Sequence, residues 1–167
     1  MGHEIIFEDV CLPEKLRIVV GGDHAGFALK EKVRDYLANK GYDVEDAGPA
    51  STEPVDYPDF AEKVAERVAD KRADFGVLMC GTGLGVAIAA NKIPGIRAAT
   101  CNDTLSAHFA RAHNNANVLA MGGRLIDEAT AQKVLDTWLS TPFEGGRHQR
   151  RVEKIAVIEN NHPEKSK

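Results

Sequence analysis

Apolar and polar positions along this chain follow two rhythms in alternation. Short apolar or β-branched runs at residues 16–20, 75–79, 96–100 and 118–121, with a weaker one at 42–46, have the length of strands. Between them the apolar positions recur every three or four residues. Leu29, Val33, Tyr36 and Leu37 form one face of a helix running to about Lys40, which Gly41 stops. Pro58 suits the first turn of a helix carrying Phe60, Ala61, Val64, Ala65 and Val68. A further helix spans about 103–112, and Asp127 is placed to cap the next, whose inner face is Ala131, Val134, Leu135 and Trp138. A last helix follows Gly145-Gly146 and carries Val152, Ile155, Ala156 and Ile158.

Five strands separated by helices predict a doubly wound, Rossmann-like α/β domain, with a five-stranded parallel sheet between two helical layers. In such folds ligands bind beyond the carboxyl ends of the strands, where strand order reverses. The loops expected to meet there carry Asp23 and His24, then residues 80–85, then 101–103, then Gly122, Gly123 and Arg124. Residues 1–16 read as an N-terminal extension, 17–159 as the domain and 160–167 as a polar tail. No internal repeat interrupts this plan.

The third strand delivers the most distinctive loop. Cys80 stands at its end, and Gly81, Gly83 and Gly85 alternate after it around Thr82, ahead of a helix-forming run. Such a turn lets several N–H groups face one oxyanion, with the positive end of the following helix behind them. Val86 stands where a dinucleotide fingerprint needs a glycine and a cysteine phosphatase an arginine, and no P-loop GK[ST] is near.

Composition narrows the chemistry. With 167 residues and 43% hydrophobic content, the chain suits one core. A formal net charge of -4 offers no general field for nucleic acid or an anionic membrane. Three cysteines without a CxxC pair point away from a disulfide frame or zinc cluster and toward a reducing cytoplasm. No leader for export or membrane span is read from the sequence.

Cys80, at a strand end beside a helix start, is expected to have its thiol pKa lowered from about 8.5, fitting it as nucleophile or base. The Thr82 hydroxyl can both donate and accept, which suits proton relay. Arg147 and Arg151, four apart on a helix entered through two glycines, can converge on a phosphate. His113-Asn114-Asn115 closes a helix, and taken alone such a His is more often a structural, polar C-terminal turn than a catalytic residue.

The motifs Gly22-Asp23-His24-Ala25-Gly26, Asp56-Tyr57-Pro58-Asp59, Cys80-Gly81-Thr82-Gly83-Leu84-Gly85, Gly95-Ile96-Arg97, His113-Asn114 and Glu144-Gly145-Gly146-Arg147-His148, in one register, closely resemble type B ribose-5-phosphate isomerase. The resemblance implies aldose–ketose isomerisation through an enediolate, without metal or organic cofactor. It implies Cys80 as the base between C1 and C2, Thr82 as the relay between O1 and O2, and the amides of 81–85 as the enediolate site. Asp23 and His113 match positions for substrate hydroxyls and ring opening; His24, Arg124, Arg147 and Arg151 match the phosphate side. Tyr57 and Asn114 match substrate-binding positions. Some members of the family use Glu as base where this chain has Cys80. The resemblance further implies a homodimer or tetramer with sites shared between chains, and a sugar phosphate as the partner molecule. Isomerases of tetrose, allose or galactose phosphates share much of the pattern. A non-catalytic sugar-phosphate or nucleotide-binding domain is the competing class; binding alone needs neither Cys80 nor Thr82.

Overall fold

The computed structural model describes residues 15–162. All but Lys15 and Leu16 of the expected extension, and the tail beyond His162, lie outside the described residues. The elements are β1 (Arg17–Gly22), α1 (Phe27–Asn39), β2 (Asp43–Asp46), α2 (Tyr57–Ala69), β3 (Phe75–Cys80), α3 (Leu84–Ala90), β4 (Ala98–Thr100), α4 (Thr104–Ala112), β5 (Val118–Gly122), α5 (Glu128–Ser140) and α6 (Arg147–Asn161). The last helix therefore runs two residues into the segment expected to be tail.

The five strands form one parallel sheet in the order β2-β1-β3-β5-β4. Strands buried on both faces need apolar side chains at odd and even positions alike, which is why their sequences read as continuous runs. In β1, Ile18 and Val20 face one layer and Val19 the other. In β3, Val77 and Met79 join Ile18 and Val20, whereas Leu78 and Cys80 join Val19. The first layer is closed by α1, α4 and α5, through Leu29, Val33, Leu37, Ala107, Ala110, Val134 and a fully buried Trp138. The second is closed by α2 and α3, through Val64, Val68, Val86 and Ala90.

Helix starts follow the expected chemistry. Asp103 Oδ1 accepts from the Ser106 amide at 2.8 Å, and Asp127 Oδ1 from the Thr130 amide at 2.8 Å. Edge strand β4 is shorter than the sequence predicts. Ile96 and Arg97 fall outside it, and the Asn91 side chain pairs both backbone groups of Ala98, at 2.7 and 2.9 Å, as a neighbouring strand would. α6 is the outlier: His148 alone is buried along its length, and Ile155, Val157 and Ile158 are exposed.

A buried lysine ties this frame to the carboxyl end of the sheet. Lys30 of α1 reaches Asp46 at 2.6 Å and Glu31 at 2.7 Å. Asp46 in turn accepts from the Gly48 amide at 2.8 Å, and the Gly48 carbonyl accepts from the Gly22 amide at 3.0 Å. The turn that presents Asp23 is thus braced from β2.

Candidate active site

Strand order reverses between β1 and β3, so the loops leaving these two strands open a crevice at their carboxyl ends. The Asp23 amide donates to the Met79 carbonyl at 3.1 Å, and Asp23 Oδ1 accepts from the Gly26 amide at 2.9 Å, holding a buried carboxylate beside the end of β3. That approach needs glycine: a Cβ at Gly22 or Gly26 would stand 2.2 Å from the Met79 oxygen. His24 is exposed next to it, and its Nδ1 accepts from the Val55 amide at 3.2 Å, which leaves the proton of a neutral ring on Nε2.

Cys80 is buried at the end of β3, and its sulfur accepts from the Gly83 amide at 3.1 Å. Gly83 reaches that position at φ +81°, in the left-handed region. Thr82 stands exposed at the tip of the loop, with the Leu84 amide 3.4 Å from its hydroxyl. The loops after β4 and β5 close on the same point. Gly123 donates to the Cys80 carbonyl at 2.8 Å and Arg124 to the Gly81 carbonyl at 3.0 Å, while Asn102 Oδ1 accepts from the Gly122 amide at 2.8 Å. The Arg124 guanidinium lies over Gly81, and the Tyr57 ring lies against Gly85, each within 3.2 Å of where a Cβ would be. All four loops expected to meet do so. Burial pushes the other described thiol, Cys101, up to about 11, so Cys80 is the sulfur of interest.

His113, Asn114, Arg147 and Arg151 form a second group, at the opposite end of the sheet. α4 leaves the carboxyl end of β4 and runs back, so His113 arrives at the amino ends of the strands. The Arg97 guanidinium, just before β4, donates to the Asn114 and Asn115 carbonyls at 3.1 and 2.9 Å. The Glu144 amide donates to the Ala112 carbonyl at 3.0 Å, bringing the start of α6 to the same place. Within one chain His113 is thus separated from Asp23, Cys80 and Thr82: a helix antiparallel to its strands carries its two ends to opposite edges of the domain.

In this second group the His113 and His148 rings stack, with centroids 4.0 Å and planes 6° apart. Glu144 Oε2 lies 3.7 Å from His113 Nε2 and 3.6 Å from His148 Nε2. His148 is buried, and burial, then the neighbouring His113 and Arg147, hold its pKa below the ordinary 6.5. Arg147 and Arg151 are exposed beside it. His113, Glu144 and His148 are the metal-capable trio among the described residues. Arg147 Nε lies 3.4 Å from His148 Nε2, so a cation of the chain already stands beside this nitrogen. His148 was visible in the sequence only as part of the Gly-Gly-Arg-His run, because no spacing rule shows that a helix otherwise exposed buries one ring.

A sulfur and a hydroxyl on one glycine-rich loop, with a carboxylate, imidazole and guanidinium on the loops that meet it, form a set suited to moving a proton next to a carbonyl. Fold and site define a sugar-phosphate isomerase, and comparison with known proteins agrees. Residues 18–155 match the family described as Ribose/Galactose Isomerase, and the chain belongs to that family. Ribose-5-phosphate isomerase B of Escherichia coli K12 is 48% identical over 86% of this chain and 96% of its own. D-erythrulose-4-phosphate isomerase of Pectobacterium atrosepticum is 45% identical over 90% of this chain and 98% of its own. The solved structure of Clostridium thermocellum ribose-5-phosphate isomerase B superposes with a TM-score of 0.88 at 49% identity, covering 89% of this chain and all of the other.

Proposed function

We propose that this enzyme interconverts ribose 5-phosphate and ribulose 5-phosphate through an enediolate, without metal or organic cofactor. The observation that carries the reading is the Cys80 sulfur held at 3.1 Å by a loop amide beside the Thr82 hydroxyl. A sugar hydrogen next to a carbonyl is a weak acid, so its removal needs a base together with stabilisation of the oxygen that becomes negative. Cys80 takes the proton from one carbon and returns it to the neighbouring one. Thr82 carries the proton between the two oxygens, and the amides of residues 81–85 hold the enediolate oxygen. Asp23 orients hydroxyls, Tyr57 closes the side of the crevice, and His24 and Arg124 lie on the phosphate side.

His113, Asn114, Arg147 and Arg151 complete the site from a second copy of the chain, with Asn114 orienting a substrate hydroxyl. Supporting this is their place at the opposite end of the sheet from Cys80. The surface supports it as well: a groove of about 880 Å³, walled by Ile96, Ala98, Phe109, Ile155 and Ile158, separates α6 from α4 and β4. Exposed Leu84, Ile88 and Leu105 add to the apolar surface. In a two-fold dimer the exchange of half-sites is reciprocal. No described helix is long and apolar enough to cross a membrane, and we place the enzyme in the cytoplasm.

The 45% identical erythrulose-phosphate isomerase gives a second reading, a four-carbon substrate at the same site. Ketose formation from ribose 5-phosphate, erythrose 4-phosphate, allose 6-phosphate and galactose 6-phosphate separates them. The highest kcat/KM is expected for ribose 5-phosphate. A higher value for the tetrose phosphate would reassign the substrate, and no turnover of any of them would remove the activity.

A further inference from the structure

Among the described residues four polar or charged side chains are buried, and Asp23, Lys30 and Thr141 all have short hydrogen bonds. His148, the fourth, is engaged through its ring. It lies flat on His113, and Phe109 adds a second ring contact to His113 at 4.6 Å between centroids. An imidazole held between two rings loses the freedom to turn about its side-chain bonds, so its nitrogens keep one direction.

The edge of the His148 ring meets Arg147, whose Nε donates to His148 Nε2 at 3.4 Å. An Nε2 that accepts carries no proton, which places the hydrogen of a neutral ring on Nδ1. The groups facing it are His113 from α4, Glu144 from the segment before α6, and Arg147 and Arg151 from α6 itself. Burial and the three cationic or ionisable neighbours favour the neutral ring, and Glu144 alone opposes them. A neutral His148 ring suits this arrangement, since two imidazolium cations stacked 4.0 Å apart would repel each other.

We propose that His148 is a positioning residue for the isomerisation, its neutral ring orienting His113 and its Nε2 steering Arg147. The inference rests on the reading of His113 and Arg147 as substrate-facing groups. Two functions meet in one side chain, and two substitutions separate them. His148→Phe keeps a flat ring and removes the acceptor; His148→Ala removes both. The phenylalanine variant is expected to keep kcat on ribose 5-phosphate within about threefold while KM rises several-fold, because Arg147 loses its anchor. The alanine variant is expected to lose about tenfold in kcat as well, the scale of a misplaced proton-transfer group.

Nitrogen NMR of the unliganded wild-type protein supplies a readout that needs no substrate: at pH 7 His148 should be neutral, protonated on Nδ1 and bare on Nε2. Wild-type kcat and KM in a folded His148→Ala protein would overturn the proposal, as would equal kcat losses in the two variants. A His148 that is charged or carries its proton on Nε2 at pH 7 would overturn it too. Should the wild type turn over no aldose phosphate, the functional reading fails by itself, and the NMR result still decides the neutral stacked pair.

Discussion

The amide of Gly83 directs its hydrogen at the Cys80 sulfur from 3.1 Å, across a turn that only a residue at φ +81° completes. In the proposed mechanism the contact joins the base, Cys80, to the loop that stabilises the enediolate. Cys80→Ser keeps a small polar side chain at the strand end, so the fold should survive. Turnover should fall by about 10²-fold or more, as for loss of a positioned base. The check is kcat measured beside the circular-dichroism spectrum. Near-normal turnover in the folded variant would remove Cys80 from the mechanism.

Gly83 itself is the sharper structural test. An alanine there must adopt a left-handed backbone, costing about 1–2 kcal/mol, and its Cβ would stand 3.0 Å from the Met121 carbonyl carbon and 3.1 Å from Thr100 Cγ2. Urea unfolding of Gly83→Ala should show that loss together with a drop in kcat. An unchanged midpoint would mean that the turn tolerates a side chain.

Much of this was legible in the chain and some was not, for identifiable reasons. The strand runs, the Asp127 cap and the buried Trp138 follow from periodicity and capping chemistry, and the four carboxyl-end loops meet as their order along the chain implies. β1 extends past Val20 through Gly21 and Gly22 because they pair with Leu78 and Met79 of β3, a partnership that composition does not reveal. His113 belongs with the second group because α4 reverses direction, a consequence of topology and not of residue type. Buried Lys30 is not legible in the sequence, since a lysine on a helix face reads as solvated until Asp46 is brought to it.

The Lys30–Asp46 contact predicts how acid destabilises the fold. Burial alone would raise the Asp46 pKa, but the Lys30 ammonium, the Gly48 amide and the Arg34 guanidinium outweigh it and hold the carboxyl below its ordinary 3.8. A depressed folded pKa contributes stability that is fully present above the unfolded value, about 3.9, and is lost as pH falls through the folded one. Asp46→Asn should therefore lower the urea midpoint at pH 7, and its gap from wild type should narrow below about pH 4. A gap independent of pH would contradict the ion-pair account.

Metal removal gives a further check. The proposed mechanism assigns no step to a Lewis acid, so prolonged dialysis against EDTA should leave kcat unchanged. Loss on chelation, restored by a divalent ion, would overturn the cofactor-independent mechanism.

In the proposed dimer each working site is assembled from the Cys80 end of one chain and the Arg151 end of another. Co-refolding Cys80→Ser with Arg151→Ala, each nearly inactive alone, tests it most directly. A hybrid dimer would carry both lesions in one site and neither in the other. With random pairing an equal mixture should recover about one quarter of wild-type activity. Hybrid dimers that form but recover no activity would place base and arginine in the same chain and contradict the shared site.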